Sequence, residues 1–108
     1  MNTKATQSCE TEQERQRAVQ EMVAEQGPNW LEAFKPGSFG CHELLDRTSL
    51  VADMIERFVL SHPACAQDPS WYALALEATT CLRELYQRIG AEHVGEKSTR
   101  ESSAANPS

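Results

Sequence analysis

CHELLDRTSLVADMIERFVLSHPACAQDPSWYALALEATTCLRELYQRIG, residues 41–90, decides the fold. When its residues are stepped around a helix at about 100° each, Leu44, Val51, Ala52, Ile55, Phe58 and Val59 share one side, with Leu45 and Met54 at the margins. After a short Pro-marked interruption the same period returns. Trp71, Leu74, Ala75, Ala78, Leu82, Leu85, Tyr86 and Ile89 form a second apolar arc, with Glu77, Thr80, Glu84 and Gln87 opposite. Each arc covers roughly half a helix circumference, more than one neighbour hides. The expected fold is therefore all-α: an antiparallel helical hairpin, about 41–62 and 69–90, packed with an N-terminal helix into a small three- to four-helix bundle.

Residues flanking the two arcs supply the ends. Helix termini leave backbone donors and acceptors that side chains or special backbone conformations must satisfy. The cluster Lys35 to Gly40 reads as a turn, Ser38 as the N-cap of the first long helix, and Pro63 as a stop just after His62. Asp68 followed by Pro69 fits an N-cap and first helical position. Gly90 is read as a left-handed cap closing the second helix.

Upstream, Thr11 to Gln26 has the period of a weaker helix with a Thr11-x-x-Glu14 capping box and a narrow stripe of Val19, Met22 and Val23. Gly27-Pro28 ends it. A turn or two from Asn29 to Phe34 then carries Trp30, Leu31 and Phe34, which are expected to fill the open flank of the hairpin. Residues 92–108 are polar and Ser-rich and, like residues 1–9, cannot offset their ordering entropy, so both are expected to be disordered around a single domain over 10–91.

Length and charge narrow the function. A chain of 108 residues holds one small core, which a dimer would extend. The net charge is −6, and the acidic excess is spread along the chain with no basic segment. This argues against an electrostatic grip on nucleic acid. A DNA-binding regulator is a third-ranked class, since the second helix opens on Pro69, Ser70, Trp71 and Tyr72 rather than on groove-reading side chains. No apolar run approaches the length of a membrane span, and the first residues lack the pattern of a secretory signal. Cys9, Cys41, Cys65 and Cys81 are widely spaced, so free thiols in a cytoplasmic protein are expected.

One end of the hairpin concentrates reactive side chains. Cys41, His42 and Glu43 open the first helix and should lie beside Ile89, Gly90 and His93 of the second. Cys41 in a first helical turn gains thiolate character from the helix dipole, although its phase makes it a small core residue. Cys41, His42 and His93 are the candidate ligands for a metal such as zinc, without the spacing of any zinc signature. His42 and Asp46 stand four apart, as do Glu43 and Arg47, and each pair reads as a solvated surface contact. His62, at a helix end, is expected to cap carbonyls, and Cys81 to pack.

No nucleotide, phosphate or catalytic motif is present, so no residue is assigned a catalytic role and no cofactor is expected. What is left is surface. Leu50, Leu60 and Leu76 fall on otherwise polar sides and Met54 and Tyr72 rim the apolar arcs, giving a candidate interaction surface. A small regulator or adaptor that binds another protein, and possibly itself, is the expected function; a thiol- or metal-dependent site at the Cys41/His42/His93 end is the alternative.

Overall fold

A computed structural model describes the backbone of residues 3–105 and the side chains of residues 9–95. The elements run α1 (Thr3–Gln26), a 3-10 turn (Trp30–Ala33), α2 (Phe39–Met54), a π turn (Ile55–Leu60), α3 (Pro63–Ala66) and α4 (Pro69–Ala105). The protein is all-α, with no strand among the described residues. It divides into two compact units, residues 1–32 and 33–108. Each is described by itself.

The first unit is α1 and the start of the 3-10 turn. The helix begins at Thr3, so Thr11 lies inside it rather than capping it. Val19 and Met22 are half-buried and Val23 is exposed. Gly27 ends the helix with a left-handed backbone, φ 92°, which a residue without Cβ adopts freely, and its N–H donates to the Val23 carbonyl at 2.8 Å.

The second unit is the antiparallel hairpin of α2 and α4, with α3 in the connection. Its caps form where the sequence places them. Ser38, in extended backbone, accepts from the Cys41 N–H at 3.1 Å. Asp68 Oδ1 accepts from the N–H groups of Ser70 at 2.9 Å and Trp71 at 3.2 Å, and Pro69 takes the first helical position.

Small side chains make up most of the seam between α2 and α4. Cys41, Leu45, Thr48 and Ala52 are the buried residues of α2, with Ala52 fully hidden, and Thr79 and His93 are their buried counterparts on α4. Thr48 and Thr79 bury hydroxyls only because each donates to the carbonyl four residues back, at 2.8 Å to Leu44 and 3.1 Å to Ala75. The register brings Gly90 to Leu45, His42 to His93, and Arg83 to Asp53 and Glu56. Ile55 and Leu82 are half-buried beside this seam.

Three features depart from the sequence reading. Gly90 does not close a helix: α4 passes through it, and a Cβ built there would lie 3.7 Å from Leu45 Cδ1, so it serves close approach of the helices. The only left-handed glycines among the described residues are Gly27 and Gly37. The first long helix widens into a π turn at Ile55–Leu60, closed by a Ser61 N–H to Glu56 carbonyl bond of 3.1 Å. Finally, α4 does not end near Ile89 but runs to Ala105. The segments expected to be disordered, 1–9 and 92–108, include residues 1–8 and 96–108, whose side chains lie outside the described residues.

Candidate functional site

Two regions of the hairpin unit carry candidate function, and they arise from different chemistry. At the open end, the first turn of α2 meets α4 past Gly90. His93 is buried, only 4% exposed, and its Nδ1 accepts from the Gly37 N–H at 2.9 Å. That bond ties the Lys35 to Gly40 turn to α4, and it uses the imidazole lone pair that a metal at Nδ1 would need. The His42 ring lies with its centroid 5.6 Å from that of His93, and the two rings line a cavity of about 270 Å³ with Gly37, Ser38 and Phe39.

The sequence thus correctly brings His42 and His93 together. Cys41 is buried in the helix seam. Among the described residues no three His, Cys, Asp or Glu side chains converge in a way that would hold a metal ion. His42 Nε2 contacts Asp46 Oδ2 at 3.4 Å and Arg47 contacts Glu43 at 3.2 Å, both as i,i+4 pairs with exposed side chains. Such exposed pairs contribute little.

The remaining histidine and cysteines depart from expectation in detail. His62 caps donors rather than carbonyls: Pro63 begins a new turn, and His62 Nδ1 accepts from the Ala64 N–H at 3.0 Å. Cys81 is exposed, not packed. Cys65 is half-buried and borders a groove of about 310 Å³ with Phe58, Val59, His62, Ala64 and Trp71.

That groove opens onto the second region, a flank of the hairpin. Arg83 marks the opposite, polar flank, where its guanidinium donates to Asp53 at 3.0 Å and to Glu56 at 3.2 Å across the two helices. Both carboxylates hold the Arg83 guanidinium above its ordinary range, the Asp53 hydrogen bond contributing most. On the other side of the seam helical phase places Leu44 and Val51 of α2 on the same flank as Leu74 and Leu85 of α4, and Phe58 of the π turn borders the groove with Trp71. All six are exposed, Phe58 by 63% and Leu74 by 65%.

At the upper end of this flank Phe34 is exposed over the first turn of α2. A Cβ built on Gly40 would run into the Phe34 ring and the Ala33 carbonyl oxygen, so glycine is required for that segment to seat there. This partly meets the expectation that the segment before α2 fills the open flank. Among the other surface candidates, Leu50, Met54, Tyr72 and Leu76 are exposed and Leu60 is half-buried. Their helical phases divide them between the outer side of α2, where Leu50 and Met54 stand, and the Arg83 side of α4, where Tyr72 and Leu76 stand.

The flank escaped the sequence reading because an apolar arc does not say which of its parts meets the neighbour. The spacing of small residues, Cys41, Thr48 and Ala52 against Ala75, Thr79 and Gly90, was the available signal. No helix among the described residues is long and apolar enough to cross a membrane. No protein-family model matches the chain, and neither a curated protein nor a solved structure matches it.

Proposed function

We propose that this chain is a small non-enzymatic binding module, a regulator or adaptor, that works by laying its apolar hairpin flank against another polypeptide in the cytoplasm. The observation that carries this reading is the flank itself. Single exposed leucines are ordinary, but Leu44, Val51, Phe58, Trp71, Leu74 and Leu85, all exposed and set by phase on one flank of two helices, make a patch of the kind that marks association. Met54 and Leu50 extend it at its outer edge. The acidic balance, net charge −6, favours a protein over nucleic acid as the partner.

A photo-activatable side chain placed at Leu74, and as a control at Thr80 on the polar side, tests the reading in the native cells. Cross-links to protein from position 74 and none from position 80 are expected. Equal labelling at both positions, or none at 74, contradicts it.

The competing reading, a thiol- or metal-dependent site, draws on one observation, the pairing of His42 with His93 at the mouth of a cavity next to Cys41. Stoichiometric zinc or iron in the purified protein, or one cysteine reacting far faster than the others, would favour that site over the binding module.

A further inference from the structure

We infer that the cavity at the open end of the hairpin binds a small monocarboxylate, a function separate from that of the apolar flank. His93 is only 4% exposed and its Nδ1 accepts the Gly37 N–H, so the proton of the neutral ring sits on Nε2. That second N–H has no acceptor among the described residues. No enclosed polar side-chain atom among them lacks a partner, so Nε2 opens onto the space its ring lines, the cavity of about 270 Å³ shared with Gly37, Ser38, Phe39 and His42. A buried side chain thus gives one nitrogen to the turn and presents the other as an unused donor.

The start of α2 adds two more donors. In this 16-residue helix the N–H groups of Cys41 and His42 are taken by the Ser38 hydroxyl and carbonyl oxygens. Those of Phe39 and Gly40 have no acceptor among the described residues, and Phe39 lines the cavity. The free N–H groups and the helix dipole favour negative charge at this end. The lining holds no lysine, arginine or carboxylate, and Asp46 stands outside it, 3.4 Å from His42 Nε2. Neutral donors on two sides suit an anion of one charge with two oxygens, one for the His93 Nε2–H and one for the helix N–H groups. A carboxylate is that group, whereas a phosphate dianion calls for a cation that the lining lacks. Phe39, 80% exposed, is the apolar residue of the lining and offers a surface to a short hydrocarbon tail. The same tautomer leaves neither nitrogen of His93 with a lone pair for a metal.

NMR spectra of the full chain, titrated with sodium propionate at ionic strength held constant with sodium chloride, test this. The Phe39 and Gly40 amide signals and the His93 ring signals are expected to move together and to saturate with a Kd of roughly 1–10 mM, the strength within reach of so small a ligand. Propionamide, of the same shape and uncharged, should leave them in place. Two variants each remove one donor. Phe39→Pro suits the first helical position and the extended backbone of Ser38 before it but has no N–H, so it should weaken binding about three- to tenfold, and Phe39→Ala by less. His93→Asn keeps an acceptor for the Gly37 N–H where Nδ1 stands and lacks Nε2, and should weaken binding about tenfold. The Gly37 amide signal and the helix content by circular dichroism show whether the turn has held; where it has not, the Phe39 pair decides.

No saturating shift up to about 100 mM propionate, ten times the weakest affinity expected, overturns the proposal. An equal response to propionamide, or tighter binding of phosphate than of propionate, also overturns it. So does one affinity shared by wild type, Phe39→Pro and His93→Asn, since the anion would then sit elsewhere. None of these outcomes bears on cross-linking from position 74, so cavity and flank stand or fall separately.

Discussion

The two flanks of the hairpin are built from the same pair of helices and behave as opposites. On one, Arg83 reaches across the seam to Asp53 and Glu56, and all three side chains stay largely exposed. On the other, Phe58, Trp71 and Leu74 project from the same helices and are exposed. Between them runs a seam of small residues that lets the backbones approach. The lesson is that, apart from Leu45, the hairpin's buried contacts come from side chains other than its large apolar ones. Most of the large apolar side chains line its outside, and the hairpin closes on Cys41, Leu45, Thr48 and Ala52 against Thr79, Gly90 and His93.

The comparison between seam and flank breaks most visibly at adjacent leucines. Leu45 is 8% exposed and Leu44 is 51% exposed. Leu45→Ala leaves a cavity in the seam and should cost about 2–5 kcal/mol, independent of protein concentration. Leu44→Ala, at an exposed position, should change the stability of the protein by only about 0.5 kcal/mol or less. Equal losses would mean that both leucines belong to one core.

Gly90 sharpens the same comparison with the opposite sign. A left-handed cap would be strained by alanine, whereas a helical glycine with 3.7 Å of room beside Leu45 should gain up to about 1 kcal/mol from Gly90→Ala, read as a higher melting temperature. A loss instead would restore Gly90 as a helix end. At the head of the hairpin, Ser38→Ala removes the acceptor for the Cys41 N–H and should cost about 1 kcal/mol in urea denaturation.

The smallest expected effect is a dependence on acid. Hydrogen bonds from the Ser70 hydroxyl and the Trp71 N–H hold the Asp68 carboxyl below the usual carboxylate range. Its folded value is thus lower than its unfolded one. The stabilisation is present above the unfolded value and is lost as pH falls through the folded one. Between about pH 5 and pH 2, wild type should lose slightly more stability than Asp68→Ala; parallel curves would remove the cap from the account.

Much of this architecture was legible because its signals are local. Ser38, Pro63, Asp68 and Pro69 act on backbone groups within a turn of themselves, so their spacing in the sequence is nearly their spacing in space. The i,i+4 contacts of His42 with Asp46 and Glu43 with Arg47 were readable for the same reason. The seam was not, because Thr48 and Thr79 look polar until their hydroxyls are turned back on their own helices, and Gly90 looks like a breaker until its neighbour is known. The His93 to Gly37 bond joins residues 56 apart, beyond any local pattern. The π turn at Ile55–Leu60 has no residue signature, and it redirects the phase of Phe58 and Val59 where a straight helix was drawn.

Paramagnetic broadening of methyl signals by a soluble spin probe, recorded on the dilute protein, tests the central claim most directly. The account predicts strong broadening at the methyl groups of Leu44, Val51 and Leu85 and little at those of Leu45 and Ala52. Broadening at Leu45 or Ala52 as strong as at Leu44, or protection of Leu44, Val51 and Leu85, would contradict it.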